Sequence, residues 1–365
     1  MKERTMTLPA PFSRTYAEAR AKFLAAAAGT RLDSHPEPLR GVELEPLAMD
    51  VARVGADDAD SLLIVSSGCH GVEGYCGSGA QIALLHDDAL RDKARQAGVA
   101  LLFIHALNPW GFSFGRRVTH EGVDLNRNFI DFRRPPPGNP GYDELAAVIL
   151  PEAWPPGVPN ERRLMDYGAS HGMAALQAAI SGGQYRFPDG LFYGGAGPTW
   201  AQQTLRLVLR QHASRCKRLG WIDLHSGLGE SGIGERIFAA REDDAAKHRA
   251  KAWWGNRITF TDDGSSTSSD LHGNLWHAVY DECPQAAYAG ITLEFGTQPA
   301  EAVLRALRHD HWVARQRRAP DEQAAFARAA MRHAFFTDTP EWKLAVMTQS
   351  RAAAVQAIDG MVAWR

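Results

Sequence analysis

Four short, nearly unbroken apolar runs, separated by longer amphipathic stretches, limit what this chain can fold into. Ser61–Ser67 (SLLIVSS), Val99–Leu107 (VALLFIHAL), Gly220–Leu224 (GWIDL) and Gly290–Phe295 (GITLEF) lack the polar alternation of a half-exposed strand. They read as strands buried on both faces, as in sheets covered by helices on each side. Their alternation with helical patterns argues for an α/β architecture. Helices are expected over Tyr16–Ala28, from Glu73 towards Gln96, and over Glu161–Ile180, Thr199–Arg215, Glu301–Arg317 and Glu322–Ala334. A single domain over residues 1–365 is expected, with an N-terminal helix near 14–30 and C-terminal helices near 320–365.

Two segments break the pattern. Residues 133–160 hold eight of the chain's 20 prolines, which argues against a regular helix or central strand there and for an ordered wrap around one side. Asp262–Asp270 (DDGSSTSSD) reads as a polar loop.

Composition excludes several functions. Forty basic and 42 acidic side chains leave a net charge of −2, with no footprint for nucleic acid or an anionic membrane. No stretch approaches the ~20 apolar residues of a membrane helix, and the N-terminal run at Phe23–Ala28 is too short for an export signal. Cys69, Cys76, Cys216 and Cys283 have no CxxC spacing and read as buried thiols. A cytoplasmic protein acting on a small molecule or peptide is expected.

Chemistry-bearing residues cluster just beyond the strands. Gly68-Cys-His-Gly-Val-Glu-Gly74 places His70 and Glu73 three residues apart, where a turn opening into a helix can aim both at one point. Imidazole and carboxylate are ordinary zinc ligands, and a catalytic site wants three such ligands with a fourth position open. Asp223-Leu-His225 ends another strand and offers a further imidazole. Gly122-Val-Asp-Leu-Asn-Arg-Asn-Phe129, with Arg116 and Arg117 upstream, suits bidentate capture of a carboxylate. Glu294 lies inside an apolar strand, where a carboxylate is costly unless something pairs with it. Open α/β sheets bind ligands at this edge.

With these residues in place, the sequence resembles the zinc metallocarboxypeptidases, including the branch that contains succinylglutamate desuccinylase and aspartoacylase. The likeness rests on HxxE at 70–73, Arg117, the D-x-N-R segment at 124–127, His225 and Glu294, in that order. It implies a three-layer α/β/α fold with a mixed, mostly parallel eight-stranded sheet. It also implies one Zn²⁺ per chain, held by His70, Glu73 and His225, with Glu294 as general base. Arg117 would polarise the scissile carbonyl, Arg116 being the lesser choice. Asn126 and Arg127 would hold a substrate carboxylate, and Asp124 would orient the His70 ring. The implied substrate is a small peptide cleaved at its C-terminal amide bond. An N-acyl amino acid deacylase is the nearest alternative, and a non-catalytic zinc- or carboxylate-binding protein a more distant one. The family's substrate-closing tyrosine has no clear match; Tyr280 and Tyr288 are read as packing residues. No nucleophile elbow of a serine hydrolase is expected. Gly227–Gly232 spells G-x-G-x-x-G but opens no evident helix, so no dinucleotide site is expected.

Overall fold

The computed structural model describes residues 10–241, 244–316 and 320–364. Eight strands form one sheet: β1 (Arg31–Arg40), β2 (Pro46–Val54), β3 (Ser61–Ser67), β4 (Val99–His105), β5 (Arg218–Gly227), β6 (Gly234–Phe238), β7 (Ile258–Thr259) and β8 (Ala287–Gly296). Their spatial order is β1-β2-β4-β3-β5-β8-β6-β7. The central strands β4, β3, β5 and β8 run parallel, while β1, β2 and β6 pair antiparallel with their inner neighbours. This is the mixed α/β sheet that the apolar runs and the resemblance led us to expect.

Those runs lack alternation because both of their faces are covered. Leu63, Val65, Leu101 and Phe103 pack into one apolar core, and Leu62, Ile64, Leu102 and Ile104 into a second on the opposite side. The chain leaves β3 for β4 on one side and returns for β5 on the other. The crevice beyond the carboxyl ends of β3 and β5 is therefore a topological switch point.

The helices are α1 (Tyr16–Ala26), α2 (Gly74–Leu85), α3 (Asp88–Ala97), α4 (Pro109–Phe114), α5 (Pro140–Ile149), α6 (Val158–His171), α7 (Met173–Ser181), α8 (Trp200–His212), α9 (Asp244–Trp254), α10 (His277–Glu282), α11 (Ala300–Arg315), α12 (Asp321–Phe335) and α13 (Pro340–Ala363). None is long and apolar enough to cross a membrane.

Several sequence expectations need correction. The helix expected over 73–96 is two helices, because the Asp87 carboxylate accepts from Leu90 N and caps a fresh start at α3. The helix expected over 161–180 breaks at Gly172, whose φ of 92° is open to glycine alone. The proline-rich segment is not devoid of helix. Pro140 opens α5 and Pro159 sits in the first turn of α6, where a missing N–H would have had no partner. Arg308 of α11 clips this segment down, donating to the carbonyls of Val148 and Ile149 and to Asn160 and Glu161.

Candidate metal centre and cavity

His70 immediately precedes a single 3₁₀ turn, Gly71–Glu73, that leads into α2. The turn is pressed against the segment after α4: Gly71 N donates to Arg117 O (3.1 Å) and Val72 N to Arg116 O (2.9 Å). A Cβ on Gly71 would stand 2.0 Å from the carbonyl carbon of Gly111, so only glycine permits this approach. One turn then carries both side chains of the HxxE motif to the same point.

His225 arrives from the end of β5. Its Nδ1 lies 2.9 Å from Glu73 Oε2, and His70 Nδ1 lies 2.8 Å from Glu73 Oε1. The two imidazoles therefore flank one carboxylate, their rings 4.9 Å apart. On their far sides, His70 Nε2 faces Asp124 Oδ1 at 3.1 Å and His225 Nε2 faces Asp223 Oδ2 at 2.5 Å. Burial disfavours the Glu73 carboxylate, yet His70 and His225 outweigh it and hold its pKa well below the usual range.

Asp223 is a functional candidate that sequence reasoning passed over. Its position two residues before His225 on a strand puts both side chains on one face, and that spacing was the available signal. Ser66 Oγ donates to its other oxygen (2.5 Å), and Trp221 Nε1 donates to Ser66 Oγ (2.6 Å).

Arg117 joins the cluster. It donates from Nε to Asp124 Oδ2 (2.9 Å) and from Nη1 to Glu73 Oε1 (3.2 Å), and its Nη2 lies 2.7 Å from His70 Nε2. One ring nitrogen cannot accept from Arg117 and donate to Asp124 at once. Arg116 points away, to Asp310 on α11 at 2.9 Å, which favours 117 as the cavity arginine.

The segment after Asp124 forms a short turn, Leu125–Arg127, capped by the Asp124 carboxylate. Asn126 Oδ1 accepts from Leu275 N (2.9 Å). Arg127 donates from Nε and Nη2 to Ser181 O and from Nη1 to Asn126 O. Phe192, also unread in the sequence, lies beneath both guanidiniums, at 5.3 Å from Arg117 and 5.6 Å from Arg127. Its φ of 56° is rare for a bulky residue.

Glu294 sits on β8 directly beside His225 in the parallel register. It is buried, and Leu228 N donates to its Oε1 (3.0 Å). Burial, reinforced by the nearby Glu73 carboxylate, pushes its pKa up to about 8.

His70, Glu73, Arg117, Asn126, Arg127, Phe192, His225 and Glu294 line a cavity of about 760 Å³, and Asp124 and Asp223 stand behind it. Its walls are largely apolar and include Leu176 and Ile180 of α7 and Leu304 and Leu307 of α11. The 262–270 loop contributes Asp262 and Thr267–Asp270 to the lining. No tyrosine lines it among the described residues; the Tyr288 hydroxyl donates to Ala239 O, and Tyr280 accepts from Arg241 N. His309 stacks on Trp154 away from the cavity. Contrary to expectation, a nucleophile-elbow spacing does occur, at Gly111–Gly115 (GFSFG). Ser113 there lies in α4, donates to Glu45 and accepts from Val42 N, and is outside the cavity. The glycines at 227–232 lead from β5 into β6 rather than into a helix.

One donor atom each from His70, Glu73 and His225 lie within 4.8 Å of one another, and all three residues are buried. Two imidazoles and a carboxylate make a donor set suited to zinc with one position left open. Each Nδ1 is turned inward while the opposite nitrogen meets an aspartate, the arrangement that fixes the tautomer of a ligating histidine. The residues fit such an ion. Cys69, Asp223 and His225 also lie together, but Asp223 is occupied by His225 Nε2 and burial keeps the Cys69 thiol protonated.

Thrombin activatable fibrinolysis inhibitor superposes with a TM-score of 0.53 at 12% identity, covering 96% of this chain and 74% of that one. The bovine form, solved with a tick carboxypeptidase inhibitor, gives 0.50 at 11% identity, over 96% and 97% of the two chains. Murein-tripeptide amidase MpaA from Escherichia coli O157 gives 0.37 at 17% identity, over 83% and 95%. The fold is that of the metallocarboxypeptidases. No curated protein matches in sequence. One family does, described as a protein of unknown function (DUF2817), and its match over residues 12–349 makes this chain a member of that family.

Proposed function

We propose that this chain is a zinc-dependent hydrolase that cleaves the C-terminal amide bond of a small, carboxylate-bearing peptide. The observation that carries the reading is the convergence of His70, Glu73 and His225 beside the buried Glu294. A zinc ion held by those three residues would supply a Lewis acid that polarises a carbonyl and makes water nucleophilic at neutral pH.

The chain's own groups divide the remaining work. Glu294 Oε1 is engaged by Leu228 N, which leaves Oε2 of the ionised carboxylate, the form that the charge of a bound cation would favour, to take a proton from the attacking water. As the water oxygen bonds to the carbonyl carbon and the C–N bond breaks, the same oxygen passes that proton to the leaving nitrogen. Arg117 presents terminal N–H groups beside Glu73, where charge develops on the carbonyl oxygen. Asn126 has its oxygen committed to Leu275, so its amide N–H₂ can meet a substrate carboxylate together with Arg127. Asp124 and Asp223 hold the two imidazoles in orientation.

The test is metal analysis of the purified protein beside a panel of short peptides and N-acyl amino acids. About one zinc per chain with peptide turnover is expected. Turnover of N-acyl amino acids alone would move the assignment to a deacylase. Zinc binding with no hydrolysis across the panel would leave a binding protein.

A further inference from the structure

Of the three arginines that line the cavity, the reaction above uses Arg117 and Arg127 and leaves the third, Arg241, without a role. Arg241 follows β6 and lines the same space as Arg127. Its guanidinium lies 4.2 Å above the Tyr280 ring, and its own backbone N–H donates to the Tyr280 hydroxyl (2.9 Å). The side chain is thus held in place by stacking.

Among the described residues no carboxylate lies within 4 Å of the Arg127 or Arg241 guanidinium, and every acidic cavity group except the exposed Glu301 has other partners. Glu73 meets Arg117 and both imidazoles. Glu294 accepts from Leu228 N, Asp262 pairs with Lys247, and Asp270 accepts from Leu271 N. Arg127 uses three N–H groups on backbone carbonyls, leaving others of its five donors for a ligand.

The two sites are linked by one short segment. Leu275 is bonded to Asn126, and α10 follows it with His277 in the cavity wall and Tyr280 beneath Arg241. Burial and then Arg241 depress the His277 pKa, which keeps that imidazole neutral beside the guanidinium. Guanidiniums with no carboxylate in direct contact among the described residues, in a mostly apolar cavity, are suited to capturing acidic groups.

We propose that Arg241 is a specificity residue and that the cavity takes a substrate with two carboxylates, one held at Arg127 and the second at Arg241. For a peptide this means a terminal residue with an acidic side chain. The cleavage rests on the hydrolase reading; the recognition does not.

The experiment compares N-acyl dipeptides ending in Glu, in its neutral isostere Gln, and in Lys, using the zinc-loaded full chain. Calorimetry with free L-glutamate and L-glutamine supplies a readout independent of turnover. A charge-assisted pair predicts a roughly ten- to hundredfold preference for Glu over Gln in both kcat/KM and affinity. Arg241→Gln should collapse that ratio towards one, and Arg241→Glu should turn preference towards the Lys-ended peptide. Hydrolysis with no charge preference, or a preference that survives Arg241→Gln, overturns the inference while the hydrolase reading stands. Arg241-dependent glutamate binding without hydrolysis of any amide supports the inference and sinks the hydrolase reading.

Discussion

His225 and Glu294 are Cα partners on the same rung of the parallel β5–β8 pair. Side chains at one rung of neighbouring strands point to the same face, so a proposed metal ligand and a proposed base stand together without any loop to position them. Removing the base should separate chemistry from metal binding. Glu294→Gln is expected to lower kcat by about 10²- to 10⁴-fold while zinc content stays near that of the parent. Steady-state kinetics beside elemental analysis check both halves; unchanged turnover would exclude Glu294 from proton transfer.

The three donors predict a metal-dependent gain in stability. A ligand that binds only the folded state raises the melting temperature by mass action. Chelation should lower the melting temperature of the parent protein and restored zinc should raise it again. His70→Ala and His225→Ala should show neither response, as thermal melts with and without zinc would reveal.

Asp223 offers a finer test, because it touches His225 rather than the ion. Its replacement by Ala leaves His225 Nε2 without its partner. Loss of such an orienting carboxylate typically weakens metal affinity by about 10- to 100-fold. Competition with a chromogenic chelator would measure the change, and an unaltered zinc affinity would remove Asp223 from the site.

Acid stability should depend on His105. This side chain is buried at the end of β4, stacked on Phe23 at 4.5 Å with Nε2 against Ser78 Oγ, and burial lowers its pKa to about 4 from 6.5. The unfolded imidazole therefore takes up a proton first, and stability is lost as pH falls from the unfolded towards the folded pKa. Between pH 7 and 5 the loss is about 2 kcal/mol at 1.4 kcal/mol per unit. Urea unfolding at the two pH values should show a correspondingly smaller loss for His105→Gln.

The proline-rich segment should loosen when its clip is cut. Arg308→Met leaves the carbonyls of Val148 and Ile149 unpaired in a buried setting, at about 1–3 kcal/mol each. Faster proteolysis near residues 150–158 and a lower melting temperature are expected.

Much of the centre of this molecule was legible in one dimension. Runs such as SLLIVSS read as strands covered on both faces because they are too short for a helix, contain β-branched residues and lack polar alternation. The HxxE spacing likewise places two proposed ligands on one turn, since a turn is local. The edges were not legible. Arg31–Arg40 (RLDSHPEPLR) has two prolines and few apolar residues, and it is a strand only because β2 offers it backbone partners.

The sequence alone determined the α/β class, the four central strands and the residue types gathered at their carboxyl ends, because apolar burial and local spacing are written into neighbouring positions. Only the tertiary structure decided that Asp223 rather than solvent meets His225, that Arg116 turns to Asp310 while Arg117 turns inward, and that Arg241 shares a cavity with Arg127. The last two join residues distant in the chain. They depend on strand order and helix packing, which no local pattern encodes.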